Sequence, residues 1–278
     1  MNITYSIILK SQLEGALRLD AEYYQPEYLT LIKAISKFET KSIYHLKAFL
    51  DCSAFYPSIV DYYNFEKEHV PFLRVNEIQD GLVKITDDTV FLSSEIINKY
   101  KNNIALAHPG DILIAKGGNT LGKVGLLTND FSEYAVSRDL IILRTKKLKF
   151  NKYYLWLFLH SDIGQKLLLR TASQTGQPHL TLPSIGNLLV PYLSSQKTFE
   201  HLFFESINLQ KQSTYFYQQA ENLLLEELGL SNYQIKDELS YTVNFSEIKK
   251  VNRIDAEYFL PKYEKLIEKI KNKKQNIY

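Results

Sequence analysis

Arg18-Leu19-Asp20-Ala21-Glu22-Tyr23-Tyr24-Gln25-Pro26-Glu27-Tyr28 returns 235 residues later as Arg253-Ile254-Asp255-Ala256-Glu257-Tyr258-Phe259-Leu260-Pro261-Lys262-Tyr263. The same offset aligns Ser11 with Ser246, Leu13 with Ile248, Leu31 with Leu266, Ile32 with Ile267 and Ile35 with Ile270. Helical amphipathicity repeats apolar positions, but it does not dictate matching Arg, Asp, Glu and Pro. The period is also far longer than the roughly 20–50 residues of a stacked repeat. A large module whose opening is written twice is expected, with the chain stopping shortly after the second opening.

The 278 residues give room for a sizeable core. The lone cysteine, Cys52, excludes an internal disulfide and fits a reducing compartment. The longest strictly apolar run, Tyr153 to Leu159, is seven residues, against the roughly 20 that a membrane helix needs. The start, Met1-Asn2-Ile3-Thr4, lacks the basic stretch of a signal peptide. A soluble cytoplasmic protein with no membrane contact is the expectation.

The net charge of +2 is unevenly distributed. Residues 1–100 carry −4, residues 101–192 carry +6 and residues 193–278 are neutral. Segregated positive charge suits a face that follows a polyanion, although a solvated basic face gives the same count.

Pro26 near the first turn and Tyr28, Leu31, Ile32 and Ile35 on one face predict a helix over residues 19–38, after an irregular lead-in. Strands are expected at Val70 to Val75, Leu82 to Ile85, Asp111 to Ala115, Lys123 to Leu127 and Asp139 to Arg144. Asn151 to Leu169 reads as a helix burying Tyr154, Leu155, Phe158 and Leu159. Between Pro191 and Gly229 there is neither Gly nor Pro, which predicts a helix of about 33 residues, roughly 50 Å long. Leu202, Leu209, Phe216, Leu223 and Leu230 recur every seven residues beside a column of Phe199, Ser206, Ser213 and Ala220. Small residues opposite large knobs suit a coiled-coil strut needing a partner helix. An ordinary core helix is the plainer alternative.

Gly117-Gly118-Asn119-Thr120-Leu121-Gly122-Lys123 matches a phosphate-binding loop, but Val124 stands where that loop needs Ser or Thr. The following Val124-Gly125-Leu126-Leu127 is strand-like, whereas a phosphate loop opens a helix. A glycine-rich hairpin projecting Lys116, Asn119, Thr120 and Lys123 fits better. Asp237 with Glu247-Ile248-Lys249 has a nuclease-like spacing, but Ile248 belongs to the repeat. The six histidines are scattered, no Gly-x-Ser-x-Gly elbow occurs, and there is no Pro-Pro for a methyltransferase motif. No catalysis, metal or cofactor is expected. The loop with Ser173, Gln174, Thr175, Gln177 and His179 carries side chains able to address base edges.

Pro71-Phe72-Leu73-Arg74-Val75-Asn76, Pro109-Gly110-Asp111-Ile112-Leu113-Ile114-Ala115-Lys116-Gly117-Gly118, Gly122-Lys123-Val124-Gly125 and Leu182-Pro183-Ser184-Ile185-Gly186-Asn187-Leu188, with the Gln196-to-Leu228 helix, resemble the specificity subunit of type I restriction–modification enzymes. The resemblance covers about residues 1–230 and the repeat onset to about 270. It implies an α+β fold: a mixed-sheet target-recognition domain followed by one long coiled-coil-forming helix. The expected parts are a DNA-binding domain at 1–193, a spacer helix at 194–230, and a second copy of the repeat element opening a truncated module at 231–278. It further implies double-stranded DNA, methyltransferase subunits and restriction subunits as partners. The family normally carries two recognition domains, so this chain reads as half a subunit able to pair with a second copy of itself. Lys116, Lys123, Arg74, Asn76 and Arg138 are expected to touch DNA, with the hairpin and the 173–179 loop reading bases. Phe199, Leu202, Leu209, Phe216 and Leu223 are expected to pair helices. The competing readings are a fragment of a DNA methyltransferase or nuclease, and a coiled-coil scaffold unrelated to DNA.

Overall fold

The computed structural model describes residues 5–13, 18–172, 178–234 and 240–275. It divides into two compact units, Met1–Phe203 and Phe204–Tyr278. In the first unit the strands are β1 (Thr40–Ser42), β2 (Phe49–Cys52), β3 (Val70–Leu73), β4 (Ile78–Gln79), β5 (Leu82–Val83) and β6 (Phe91–Leu92). They continue with β7 (Ala105–Ala107), β8 (Ile112–Ala115), β9 (Val124–Leu126), β10 (Tyr134–Val136), β11 (Leu140–Arg144) and β12 (Leu189–Pro191). Its helices are α1 (Pro26–Ile35), α2 (Ser94–Lys99), α3 (Lys152–His160), α4 (Asp162–Thr171) and α5 (Leu182–Gly186). The long helix α6 (Gln196–Glu227) begins here and runs into the second unit, which also holds α7 (Phe245–Val251) and α8 (Pro261–Gln275).

The strands form a six-stranded sheet ordered β2-β11-β8-β9-β5-β4, a four-stranded sheet ordered β6-β3-β10-β7, and the pair β1-β12. β5 with β9 and β10 with β3 are parallel; the other pairs are antiparallel. The α+β, mixed-sheet expectation holds, and so does the long helix, which has 32 residues.

Alternation along the central strands separates two cores. Ile112, Ile114, Val124, Leu126, Ile141 and Leu143 face the helical layer, where Leu155, Leu159, Leu167 and Leu168 lie. Leu113, Ala115, Leu140 and Ile142 face the second sheet and meet Leu73, Tyr134 and Val136. The far side of that sheet turns Phe72, Leu92 and Ala135 toward Tyr56, Ile59, Ile96 and Ile97. A sheet buried on both faces needs near-continuous apolar runs, which Ile112-Leu113-Ile114-Ala115 and Leu140-Ile141-Ile142-Leu143 supply.

Polar groups are therefore pushed to the strand ends. At one end buried Asp111 accepts from the backbone N–H of His108 and of Thr145, both at 3.0 Å. Arg144 lies 4.0 Å from Asp111 Oδ2, donates to Asp51 Oδ2 at 2.6 Å and donates to the Leu106 carbonyl at 2.8 Å. The Pro-Gly-Asp part of the family-like stretch is thus a sheet-end anchor.

The helix expected at Asn151 to Leu169 is two helices. Ser161, at ψ 158, leaves the first helix and caps the second by accepting from Gly164 N–H at 3.3 Å. Buried Tyr154, Leu155, Phe158 and Leu159 are as expected. Tyr154 donates its hydroxyl to the Pro191 carbonyl at 2.8 Å, and burial pushes its pKa up to about 12. The same face seats the first turns of α6. Phe199 packs on Tyr154 at 5.1 Å and Phe203 stacks on Tyr153 at 4.7 Å. Asn151 donates to Gln196 and Glu200. Phe199, expected to pair helices, is therefore engaged by α3.

The sequence repeat is also a structural repeat. Arg18 forks onto Asp20 at 2.8 and 2.6 Å, and Arg253 forks onto Asp255 at 2.9 and 2.7 Å. These bonds hold both aspartates below the usual carboxylate range. Each guanidinium lies over the aromatic that follows, Tyr23 at 4.2 Å and Tyr258 at 4.3 Å. A 3-10 turn and then a helix opened by Pro26 or Pro261 complete each copy. The first copy is held by α4: Arg170 sits 3.6 Å from the Tyr23 ring, and Arg18 donates to the carbonyls of Thr171 and Ala172.

Asp111→Ala is expected to destabilise the first unit by about 1–3 kcal/mol, because two backbone N–H donors lose their acceptor and Arg144 loses a nearby carboxylate. A urea titration followed by circular dichroism measures this.

Candidate nucleic-acid interface

Opposite the Asp111 end, five chain segments come together. Strand β8 leaves the sheet at Lys116, and β9 enters it from Lys123. Between them is a hairpin whose Gly122 N–H donates to the Ala115 carbonyl at 2.8 Å, while Ala115 N–H donates to Lys123 at 2.9 Å. Residues Gly118–Thr120 form a 3-10 turn, not the start of a helix, as the hairpin reading expected. Gly118 and Gly122 sit at φ +71° and +80°, in the left-handed region where a side chain is strained. Gln165 of α4 donates to the Gly122 carbonyl at 2.9 Å and braces the turn from below. Asn119 and Thr120 are left exposed.

Strand β11 starts at the same end, preceded by Arg138 and Asp139, and the Asp139 carbonyl accepts from Lys116 N–H at 3.0 Å. His179 pairs with Gly117 in an isolated bridge, and Leu180 N–H donates to the Lys116 carbonyl at 2.8 Å. A Cβ on Gly117 would lie 2.5 Å from His179 Nδ1, so glycine allows the imidazole to lie against the hairpin. Strand β2 leads here as well, because Cys52 pairs with Ile141 and the chain continues through Ser53 to Phe55. The Arg138 guanidinium is 5.9 Å from the Phe55 ring centroid.

Lys116, Asn119, Thr120, Lys123, Arg138 and His179 thus share one end of the six-stranded sheet. Among the described residues, Lys116, Lys123 and Arg138 form no ion pair. Lys123 acts on Asp80 only at longer range; a hydrogen bond from Lys84 is what chiefly holds that carboxyl below its usual range. By contrast, the Asp111 end carries Arg144 between two carboxylates.

Arg74 belongs to the framework. It follows β3 at this end, but its guanidinium donates at 3.0 Å to Glu77, whose side chain is 4% exposed, and at 3.2 Å to the Asp88 carbonyl. Its backbone N–H also donates to Glu77 at 2.8 Å. Asn76 is exposed within the 3-10 turn Val75–Glu77. Ser173, Gln174, Thr175 and Gln177 lie outside the described residues. Elsewhere, exposed Glu66, Glu68 and half-buried His69 bring ligand-type atoms within 4.8 Å of one another, with Glu66 and His69 in contact at 2.9 Å. The sequence reading grouped no such cluster. No described helix is long and apolar enough to cross a membrane.

No family model matches the chain. It is 29% identical over 145 residues to the type I restriction enzyme MjaVIII specificity subunit of Methanocaldococcus jannaschii. Over that segment the chain is similar to a type I specificity subunit. The matched segment is 49% of this chain and spans about a third, 32%, of that relative's length. Among solved structures, the HsdS subunit from Thermoanaerobacter tengcongensis matches 68% of this chain and 45% of its own, with 18% identity and a TM-score of 0.42. The type I S subunit from M. genitalium matches 74% and 48%, with 14% identity and a TM-score of 0.41.

The ion pair gives Arg74 a measurable signature. Arg74→Ala is expected to cost about 1–3 kcal/mol by leaving Glu77 buried without its cation. A thermal melt checks this, and an unchanged Tm would return Arg74 to the list of surface contacts.

Proposed function

We propose that the chain is the DNA-recognition part of a type I restriction–modification enzyme, reading one half of a bipartite site in double-stranded DNA. The observation that carries this reading is the contrast between the two ends of the central sheet. One end neutralises its charges internally. The other presents Lys116, Lys123 and Arg138 around a braced, glycine-rich hairpin, with no carboxylate paired to them among the described residues. Cations of this kind bind phosphates and set register, while Asn119, Thr120 and His179 meet base edges. Gln174 and Gln177, which lie outside the described residues, are base readers in the same reading. Methyltransferase subunits, and restriction subunits where cleavage occurs, supply the chemistry.

In the same proposal α6 is the spacer on which those subunits assemble, and it pairs with the equivalent helix of a second copy. Supporting this, Leu202, Leu209, Phe216 and Leu223 stay 53%, 57%, 65% and 58% exposed along one seven-residue column. Two-fold pairing of identical recognition units gives a palindromic bipartite target.

Two measurements test the parts separately. Lys123→Ala is expected to weaken binding to all duplex DNA and to lower the slope of log affinity against log salt by about 1. An unchanged slope removes Lys123 from the interface. Leu209→Glu with Phe216→Glu is expected to halve the mass seen by light scattering while leaving the melt of the first unit unchanged. A parent protein that is monomeric while still binding the methyltransferase refutes self-pairing.

A further inference from the structure

Beyond the expected cations and polar readers, the same end of the sheet holds an aromatic ring out into solvent. Phe55 is 76% exposed. Single exposed apolar residues are ordinary on protein surfaces, and what distinguishes this one is how firmly its backbone is fixed. On one side, Ser53 is 4% exposed, donates its hydroxyl to the Val136 carbonyl at 2.5 Å and accepts from Ala105 N–H at 2.9 Å. On the other, Tyr56 is 8% exposed and its hydroxyl accepts from Arg138 N–H at 3.3 Å. Asn103 closes the clasp: its carbonyl accepts from Ala54 N–H at 2.8 Å, and its side chain donates to the Phe55 carbonyl at 2.6 Å. The loop cannot relax to fold the ring inward, because its neighbours are already committed to the core.

Resting on the DNA-recognition reading above, we propose that Phe55 is a base-contacting wedge that works with Arg138. Rigid apolar side chains enter between base steps and partly unstack them, and the accompanying cations hold the adjoining phosphates. Arg138 lies close enough to steady the ring and still point its charge at a backbone phosphate. Lys116, one hydrogen bond away through Asp139, continues the cationic track. The partner this patch fits is duplex DNA with a deformable base step beside the bases read by the hairpin. Such a step contributes specificity without any hydrogen-bonded contact to it.

The test uses the full chain and the duplex that it enriches from a random-sequence library. Phe55→Ala is expected to lose roughly tenfold to a hundredfold in affinity, the range that base–aromatic stacking supports. Its salt slope stays that of the parent, since no charge is removed. Phe55→Trp is expected to keep binding and to show indole emission quenched by that duplex, relative to the parent, in which Trp156 is the only tryptophan. Parent-like binding by Phe55→Ala, or an unquenched Phe55→Trp, overturns the wedge, while a weakened Lys123→Ala shows that the DNA-recognition reading still stands. If no duplex is enriched, or if neither Phe55→Ala nor Lys123→Ala alters binding, the reading itself fails and the wedge falls with it.

Discussion

The antiparallel pairing of β8 with β11 is the constraint from which the rest follows. Ile112, Leu113, Ile114, Ala115, Leu140, Ile142 and Leu143 are all 0% exposed, with one face under helices and the other under a second sheet. Nothing charged can sit along such strands without a large desolvation cost. The polar residues that chain connectivity requires appear only where the strands end. Because the pair is antiparallel, each end collects the start of one strand and the finish of the other. At one end this brings Asp111 to Arg144, and the charges cancel. At the other it brings Lys116 to the Asp139 backbone, next to Arg138, and neither cation is ion-paired among the described residues.

The two copies of the repeat separate what is encoded locally from what is encoded by packing. Arg-x-Asp sets the fork, the aromatic beneath the guanidinium sets the turn, and Pro opens the helix, giving distances within 0.1 Å between copies. Burial does not follow from these residues. Tyr23 is 8% exposed under Arg170, whereas Tyr258 is 44% exposed. A short motif can therefore fix a conformation without fixing its environment.

That distinction explains how much was legible in the sequence. Strands with continuous apolar runs, the hairpin with its displaced Gly-Lys and the 32-residue α6 all rest on local pattern, and all are present. The break at Ser161 was missed because apolar residues continue in helical spacing on both sides, so that only the capping hydroxyl marks it. Arg74 read as a surface contact because its partner, Glu77, carries no sequence mark of burial. Phe199 read as part of a helix seam, but Tyr154, forty-five residues earlier, takes that face. Phe55 gave no signal at all. An aromatic in a polar loop looks the same whether it folds inward or is held outward by the bonds of its neighbours.

The site is separable from the framework that carries it. The hairpin's conformation depends on glycine at positive φ and on Gln165 from α4, and His179 is seated by the absence of a Cβ on Gly117. None of these features involves the exposed Asn119 or Thr120 side chains. Substitution at those two positions changes what the surface presents while leaving the backbone, the bracing bond and the sheet beneath unaltered. Lys116 and Arg138 differ only in part, because each also lends its backbone to the sheet end, although their side chains leave it. Such a division lets the exposed surface change without loss of the fold. The double-sided burial of β8 and β11 produces it by confining chemistry to the strand ends, where side chains are many and structural obligations few.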